Sequence, residues 1–263
     1  MPTDLELLAE SPNTRMPLAP GEELVETDRY ALWLGRGDHP GWTVVQQVRA
    51  EPSQVAEVLE EVRAAVRDRG RRAATWEIGN LSTRPPDLVD RLVELGLVPD
   101  DEPFAVGMVL TDLPPEPPPS VTARAVETFE EYQIANQIMR EAFAMSPEHI
   151  VREQERDAER WRDRQASSIT FLAFINGEPA AAANGTMADA GAILFGGATR
   201  RELRGKGAYR ALIRARWDEA ARHGKAALVT QAGHMSRPIL RRLGFQEVAE
   251  IHMLRDDHVV PTA

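Results

Sequence analysis

The chain has 263 residues, 43% of them hydrophobic and 27% charged, a profile that fits a folded globular protein and not a disordered one. Its 31 Lys plus Arg stand against 41 Asp plus Glu, for a net charge of −10, and it has no cysteine, which excludes disulfides, thiolate catalysis and cysteine-based metal sites and fits a reducing cytoplasm. No apolar run approaches the ~18 residues of a membrane span, and the acidic start Met1-Pro2-Thr3-Asp4-Leu5-Glu6 does not read as a secretory signal.

Residues 1–26, with Pro2, Pro12, Pro17 and Pro20, read as an irregular lead-in. Arg29–Gly35 and Trp42–Arg49 read as strands, broken by Gly35, Gly37, Pro40 and Gly41. Pro52-Ser53 opens a helix to about Arg69, with Val55, Val58, Leu59, Val62 and Val66 as its apolar stripe and Gly70 placed to end it. Ala73–Ile78 reads as a strand, Pro86-Asp87 as the start of a helix closing at Gly96, and Phe104–Thr111 as another strand. Five prolines then lie between Leu113 and Ser120, an extended spacer and the best domain boundary in the chain.

The second half alternates more clearly. Val121–Val126 is predicted as a strand, Phe129–Phe143 as a helix and Pro147–Gln165 as a second, highly charged helix. Ser168–Ile175, Ala180–Thr186 and Ala192–Thr199 are predicted strands, with the hairpin signal Asn176-Gly177 between the first two. Gly207–His223 is a predicted helix, Ala226–Thr230 a strand, Ser236–Leu243 a helix and Glu247–Arg255 a final strand. A faint repeat links Leu88–Val98 with Arg237–Glu247, through the Leu-Gly that each contains.

Charge is uneven. Residues 1–119 hold 11 Arg against 22 acids, a net of −11, and residues 120–263 hold 20 Lys plus Arg against 19 acids. The acidic half argues against nucleic-acid binding, which needs a basic face. Residues 200–242 alone carry 12 Lys plus Arg and three acids, a local basic stretch that suits a small polyanion as readily as a solvated helix face. The histidines (His39, His149, His223, His234, His252, His258) show no metal-ligand spacing, so no metal is expected.

The segment Arg204-Gly-Lys-Gly-Ala-Tyr209 follows a strand and opens a helix. A helix N-terminus presents free N–H groups and partial positive charge, which makes an anion cradle. Glycines let the backbone approach a pyrophosphate, and Arg204 and Lys206 add full charges. The string lacks the P-loop pattern and the dinucleotide-fold pattern. Together with Leu243-Gly244-Phe245 it resembles the GNAT superfamily of acyl-CoA-dependent N-acyltransferases: Arg204–Gly207 looks like that family's [QR]-x-x-G-x-[GA] pyrophosphate loop, and Leu-Gly-Phe looks like the end of its last helix. The resemblance covers about residues 121–255.

By that resemblance the fold is α/β: a GNAT domain over residues 121–263, a Pro-rich linker over 113–120, and a shortened, degenerate GNAT-like module over 1–112. The implied co-substrate is acetyl-CoA or another acyl-CoA, with pantetheine along Gly197, Ala198 and Thr199 and pyrophosphate on Arg204, Gly205, Lys206, Gly207, Ala208 and Tyr209. The implied reaction is acetyl transfer to a primary amine, with a small-molecule acceptor, in a cytoplasmic monomer or homodimer. The chain departs from the family at three places, one being the missing helix-start Asn, with Gly233-His234-Met235 in that region. Tyr209 stands where the loop usually closes with Gly or Ala, and Leu240 stands where a Tyr often serves as the acid. Ser236, His234 and Tyr209 are the candidate replacements for that acid, and Glu141, Asp189 or a water chain the candidate bases. At the corresponding place in the first half, Ala50-Glu-Pro-Ser-Gln54 has no glycine and would repel phosphate. A non-catalytic acyl-CoA sensor and a protein N-acetyltransferase remain as alternatives.

Overall fold

The computed structural model describes all residues except 37–39, 144–146, 165–167, 258 and 260–263. The predicted features at Gly37, His39, Gln165 and His258 therefore lie outside the described residues. The chain forms two compact units, one of Met1–Met108, Gln231–Ile239 and Gln246–Ala263, the other of Val109–Thr230 and Leu240–Phe245. Among the described residues no helix is long and apolar enough to cross a membrane.

The first unit begins with a helix, α1 (Asp4–Glu10), and a strand, β1 (Glu23–Glu26), where the proline spacing predicted irregular chain. The helix forms because Thr3 and Glu6 make a reciprocal capping box: the Glu6 N–H donates to Thr3 Oγ1 at 3.3 Å, and the Thr3 N–H to Glu6 Oε2 at 2.6 Å. The prolines flank this helix and do not interrupt it. β2 (Ala31–Leu34), β3 (Thr43–Gln46), α2 (Val55–Asp68), β4 (Ala74–Gly79), α3 (Leu88–Glu94) and β5 (Val98–Leu110) follow. The chain's last strand, β11 (Gln246–Asp256), joins this unit, giving the order β1-β2-β3-β4-β11-β5. β3 and β4 are parallel, and β11 runs antiparallel to β4, from Ile251 opposite Gly79 to Asp256 opposite Ala74. Val55, Val58, Leu59, Val62 and Val66 of α2 bury against Leu32, Val45, Trp76 and Leu254, as the helical stripe requires.

The second unit has the strand order β10-β9-β8-β7-β6, from β6 (Val121–Ala125), β7 (Ser168–Ile175), β8 (Glu178–Met187), β9 (Ala192–Thr199) and β10 (Leu228–Ala232). Asn176 and Gly177 both take positive φ, 52° and 87°, in the hairpin between β7 and β8. Helix α4 (Phe129–Ala142) packs Ala135, Ile138 and Met139 on one face of the sheet, against Leu172, Ala182 and Ala198. Helix α7 (Ala208–Arg222) packs Ala208, Ala211 and Leu212 on the other, against Phe171, Ala181 and Ala183. The run Ala180–Ala183 is fully buried, and its small side chains let both helices lie close to the strand. The charged stretch predicted as one helix is two, α5 (Pro147–Glu155) and α6 (Asp157–Arg162). Asp157, at the start of α6, turns inward to a bidentate pair with the buried Arg140, at 2.6 and 2.9 Å.

The short helix α8 (Arg237–Arg242) ends in Leu243-Gly244-Phe245. Gly244 takes φ 99°, its N–H bonds the Arg241 carbonyl at 3.1 Å, and the Phe245 N–H bonds Leu240 at 3.1 Å, a Schellman closure that needs glycine. Helix α3 closes the same way on Gly96, α2 on Gly70 and α7 on Gly224. The shared Leu-Gly of the apparent repeat is therefore a general helix ending. More specific is the order strand–helix–strand–helix–strand, found as β3–α2–β4–α3–β5 and again as β9–α7–β10–α8–β11, each with a parallel first strand pair.

Candidate acyl-CoA site

Strands β9 and β10 run in parallel over two register pairs, Ala192 with Leu228 and Ile193 with Val229. Beyond them the Thr230 hydroxyl donates to the Leu194 carbonyl at 3.1 Å. From Phe195 onward the β9 residues have no register partner on β10 among the described residues. On its other side β9 carries an extra residue relative to β8: Ala182 faces Ala198 and Asn184 faces Phe195. The bulge includes Gly196 at φ 58°, a conformation that suits glycine. Gly197 is exposed, Thr199 half-buried and Ala198 buried. The stretch expected to run beside a pantetheine arm is thus a bulged strand edge whose amide groups are available to an extended ligand.

The loop after β9 returns to start α7. Gly205 takes φ 79° and Gly207, the N-cap, φ 95°, with no side chain capping the helix. The first helical bond runs from the Ala211 N–H to the Gly207 carbonyl at 3.1 Å, so the N–H groups of Ala208, Tyr209 and Arg210 have no intrahelical acceptor. Arg204 and Lys206 are exposed, and among the described residues no carboxylate pairs with either. Around Gly205 there is open space, whereas a Cβ on Gly207 would lie 2.6 Å from Cδ of Pro118. The two glycines therefore differ: Gly205 leaves the loop open, and Gly207 makes room for the proline segment that precedes β6. The counterpart in the first unit, before α2, is closed on itself, with the Glu51 N–H donating to Gln54 Oε1 at 3.3 Å.

Tyr209 is half-buried, and its ring lies on β9: Cε2 would be 2.6 Å from a Cβ on Gly197. Arg216, seven residues further along α7, lies near its phenol. Arg216 is fully buried, donates to the carbonyls of Leu212 and Asn184 at 3.2 Å each, and leaves Nη2 without a partner among the described residues. Burial pushes this guanidinium below its usual range, and the neighbouring phenol offsets part of that shift. Neither the Arg216 network nor the β9 bulge was predicted. A helical stripe predicts an apolar residue at position 216, and Gly196-Gly197 was the one available signal for the bulge.

His234 and Ser236 belong to the first unit. The His234 side chain is 76% exposed, with Nδ1 3.9 Å from Glu102 Oε1. Ser236 is half-buried, and its hydroxyl donates to the Gly233 carbonyl at 3.4 Å. Glu141 is exposed and accepts from Gln137 Nε2 at 2.8 Å, while Asp189 is exposed and its carbonyl accepts from Lys225 Nζ at 2.7 Å. Leu240 is buried.

Residues 132–245 match the family model described as the acetyltransferase (GNAT) family. Among solved structures, a GCN5-related N-acetyltransferase from Kribbella flavida is similar at TM-score 0.71 and 22% identity, over 97% of this chain and 96% of that one. A tandem GNAT protein from the clavulanic acid biosynthesis pathway is similar at TM-score 0.61 and 17% identity, over 100% of this chain and 90% of that one. A GCN5-related N-acetyltransferase from Sphaerobacter thermophilus is similar at TM-score 0.61 and 18% identity, over 91% and 84%. No curated protein matches the sequence. These likenesses show the GNAT fold over nearly the whole chain, in a form that fits a tandem arrangement.

Proposed function

We propose that this chain, which carries a GNAT domain over residues 132–245, transfers an acetyl group from acetyl-CoA to the primary amine of a small molecule. The observation that carries the reading is the pairing of a bulged β9 edge, without β10 register partners from Phe195 onward among the described residues, with an uncapped α7 N-terminus flanked by Arg204 and Lys206, neither of which pairs with a carboxylate among the described residues. The donor set fits the group: free N–H groups and two cations suit a pyrophosphate, and open strand amides suit an extended amide-containing arm. In the reaction the neutral amine nitrogen forms a bond to the thioester carbonyl carbon and gives up a proton, the C–S bond breaks, and the leaving thiolate takes up a proton. Holding the two reactants together supplies much of the rate.

In this reading the first half is a degenerate GNAT-like module that binds no acyl-CoA, a role supported by its self-closed loop at Glu51 and Gln54. Leu240 cannot donate a proton, which favours a second reading, an acyl-CoA sensor without turnover. The small-molecule acceptor and a cytoplasmic location belong to the proposal.

Calorimetric titration of acetyl-CoA into wild type and into Arg204→Glu/Lys206→Glu tests it. Both positions are exposed, so the fold should be unaffected. Micromolar binding by wild type that weakens at least about tenfold in the variant is expected. A folded wild type that does not bind acetyl-CoA sinks the reading. Binding without thiol release, across a panel of amines, favours the sensor.

A further inference from the structure

The second unit holds a buried cation that packing alone does not explain. Arg216 stands where the stripe of α7 asks for an apolar side chain, one turn from the buried Leu212 on one side and Ala220 on the other. It is 1% exposed, and among the described residues no carboxylate pairs with it and its Nη2 has no hydrogen-bond partner. A buried charge with an unmade donor lowers stability, so the group needs a reason to be there.

The reason lies in what the rest of the side chain reaches, all of it within this unit. Arg216 lies on β8 over Gly185, where an added Cβ would meet its Cδ at 3.6 Å. Nε donates to the Leu212 carbonyl and so ties the guanidinium to its own helix, while Nη1 donates to the Asn184 carbonyl at 3.2 Å. Asn184 is the β8 residue at which the register with β9 slips: it faces Phe195, whereas Ala182 faces Ala198. Its side chain is held on the opposite face of the sheet. There Oδ1 accepts the Thr170 hydroxyl at 2.9 Å, and Nδ2 lies 3.7 Å from Met139 Sδ of α4. The same sulfur would be 3.4 Å from a Cβ on Gly196, inside the bulge. Arg216 also lies near the phenol of Tyr209, whose ring rests on Gly197. One guanidinium thus backs both strands of the bulge. A bulge disrupts the ladder around it, and a rigid fork of donors can brace such a place where an apolar side chain cannot.

We infer that Arg216 is a positioning residue: through the Asn184 carbonyl and the Tyr209 ring it fixes the shape of the β9 bulge, and it does so at the expense of stability. The inference rests on the acetyl-transfer reading for its meaning, because that reading runs the acyl-CoA along this stretch of β9.

The test compares the full chain with Arg216→Met and Arg216→Lys. Methionine is long and apolar, so urea unfolding should show Arg216→Met at least as stable as wild type. Amide exchange read by mass spectrometry should nevertheless quicken about threefold or more over residues 194–199 and stay unchanged in β6. Acetyl-CoA should bind Arg216→Met about tenfold more weakly than wild type. Arg216→Lys keeps one donor for the Asn184 carbonyl and should recover part of that loss. Unchanged acetyl-CoA affinity in Arg216→Met overturns the inference. So does a lower urea midpoint with faster exchange spread evenly over the second unit, which would make Arg216 an ordinary packing residue. A wild type that does not bind acetyl-CoA instead sinks the acyl-transfer reading, and the exchange comparison still decides whether Arg216 holds the bulge, so the two failures are distinguishable.

Discussion

Tyr209 rests on Gly197 so closely that a Cβ at 197 would stand 2.6 Å from its ring carbon Cε2. The helix N-terminus that would hold phosphate and the strand edge that would hold pantetheine are thereby in direct contact. Gly197→Ala should destabilise by ~1–3 kcal/mol in urea unfolding, because the half-buried ring must move. In a Tyr209→Ala background the same substitution should cost clearly less. A penalty of the same size in both backgrounds would mean that the ring is not its source.

Gly205 and Gly207 share a left-handed backbone but differ in surroundings. Gly205→Ala meets open space and should cost ~1–2 kcal/mol for the conformation alone. Gly207→Ala adds a collision with Pro118 and should exceed it by a further ~1–3 kcal/mol. Chemical denaturation of both variants, and of Gly207→Ala combined with Pro118→Ala, measures the difference. If the two glycines prove equally tolerant, Pro118 does not constrain the loop.

Glu131, in the first turn of α4, is held at about 2 by the Arg124 guanidinium and then by the Glu127 N–H. Its folded value is depressed, so the stabilisation is complete above the unfolded carboxylate range and fades as pH falls from about 4.5 toward about 2. Glu131→Gln should therefore be less stable than wild type near neutral pH by about 1 kcal/mol at most, since Arg124 is well exposed. Thermal melts of both proteins across this range should converge as pH drops. A gap that does not change with pH would assign the effect to the amide substitution itself.

The basic loop was legible because its chemistry is local: Arg204, Gly205, Lys206 and Gly207 lie together in sequence, between a strand and a helix pattern. The α2 stripe from Val55 to Val66 was legible for the same reason. Helix α1 was obscured by neighbouring prolines, although Thr3 and Glu6 have the spacing of a capping box. Arg216 was hidden differently. In a helix as basic as α7 a further cation reads as part of a solvated face. That it turns inward to the Asn184 carbonyl depends on a strand 32 residues away. Likewise, nothing in the local pattern of β11 says that its neighbour is β4.

That last pairing has a consequence for the order of events during synthesis. Asp256 takes the Arg63 guanidinium at 2.8 and 3.0 Å, and Leu254 and Val259 fill the same core as Trp76. The partners of Arg63 and Trp76, Asp256 and Leu254, emerge from the ribosome 193 and 178 residues after them. Contacts so distant in sequence form slowly. Until β11 arrives, β4 lacks that neighbour, so the nascent N-terminal half exposes an edge open to wrong pairing. The acidity of residues 1–119, a net of −11, gives such unfinished chains a like charge that opposes their association.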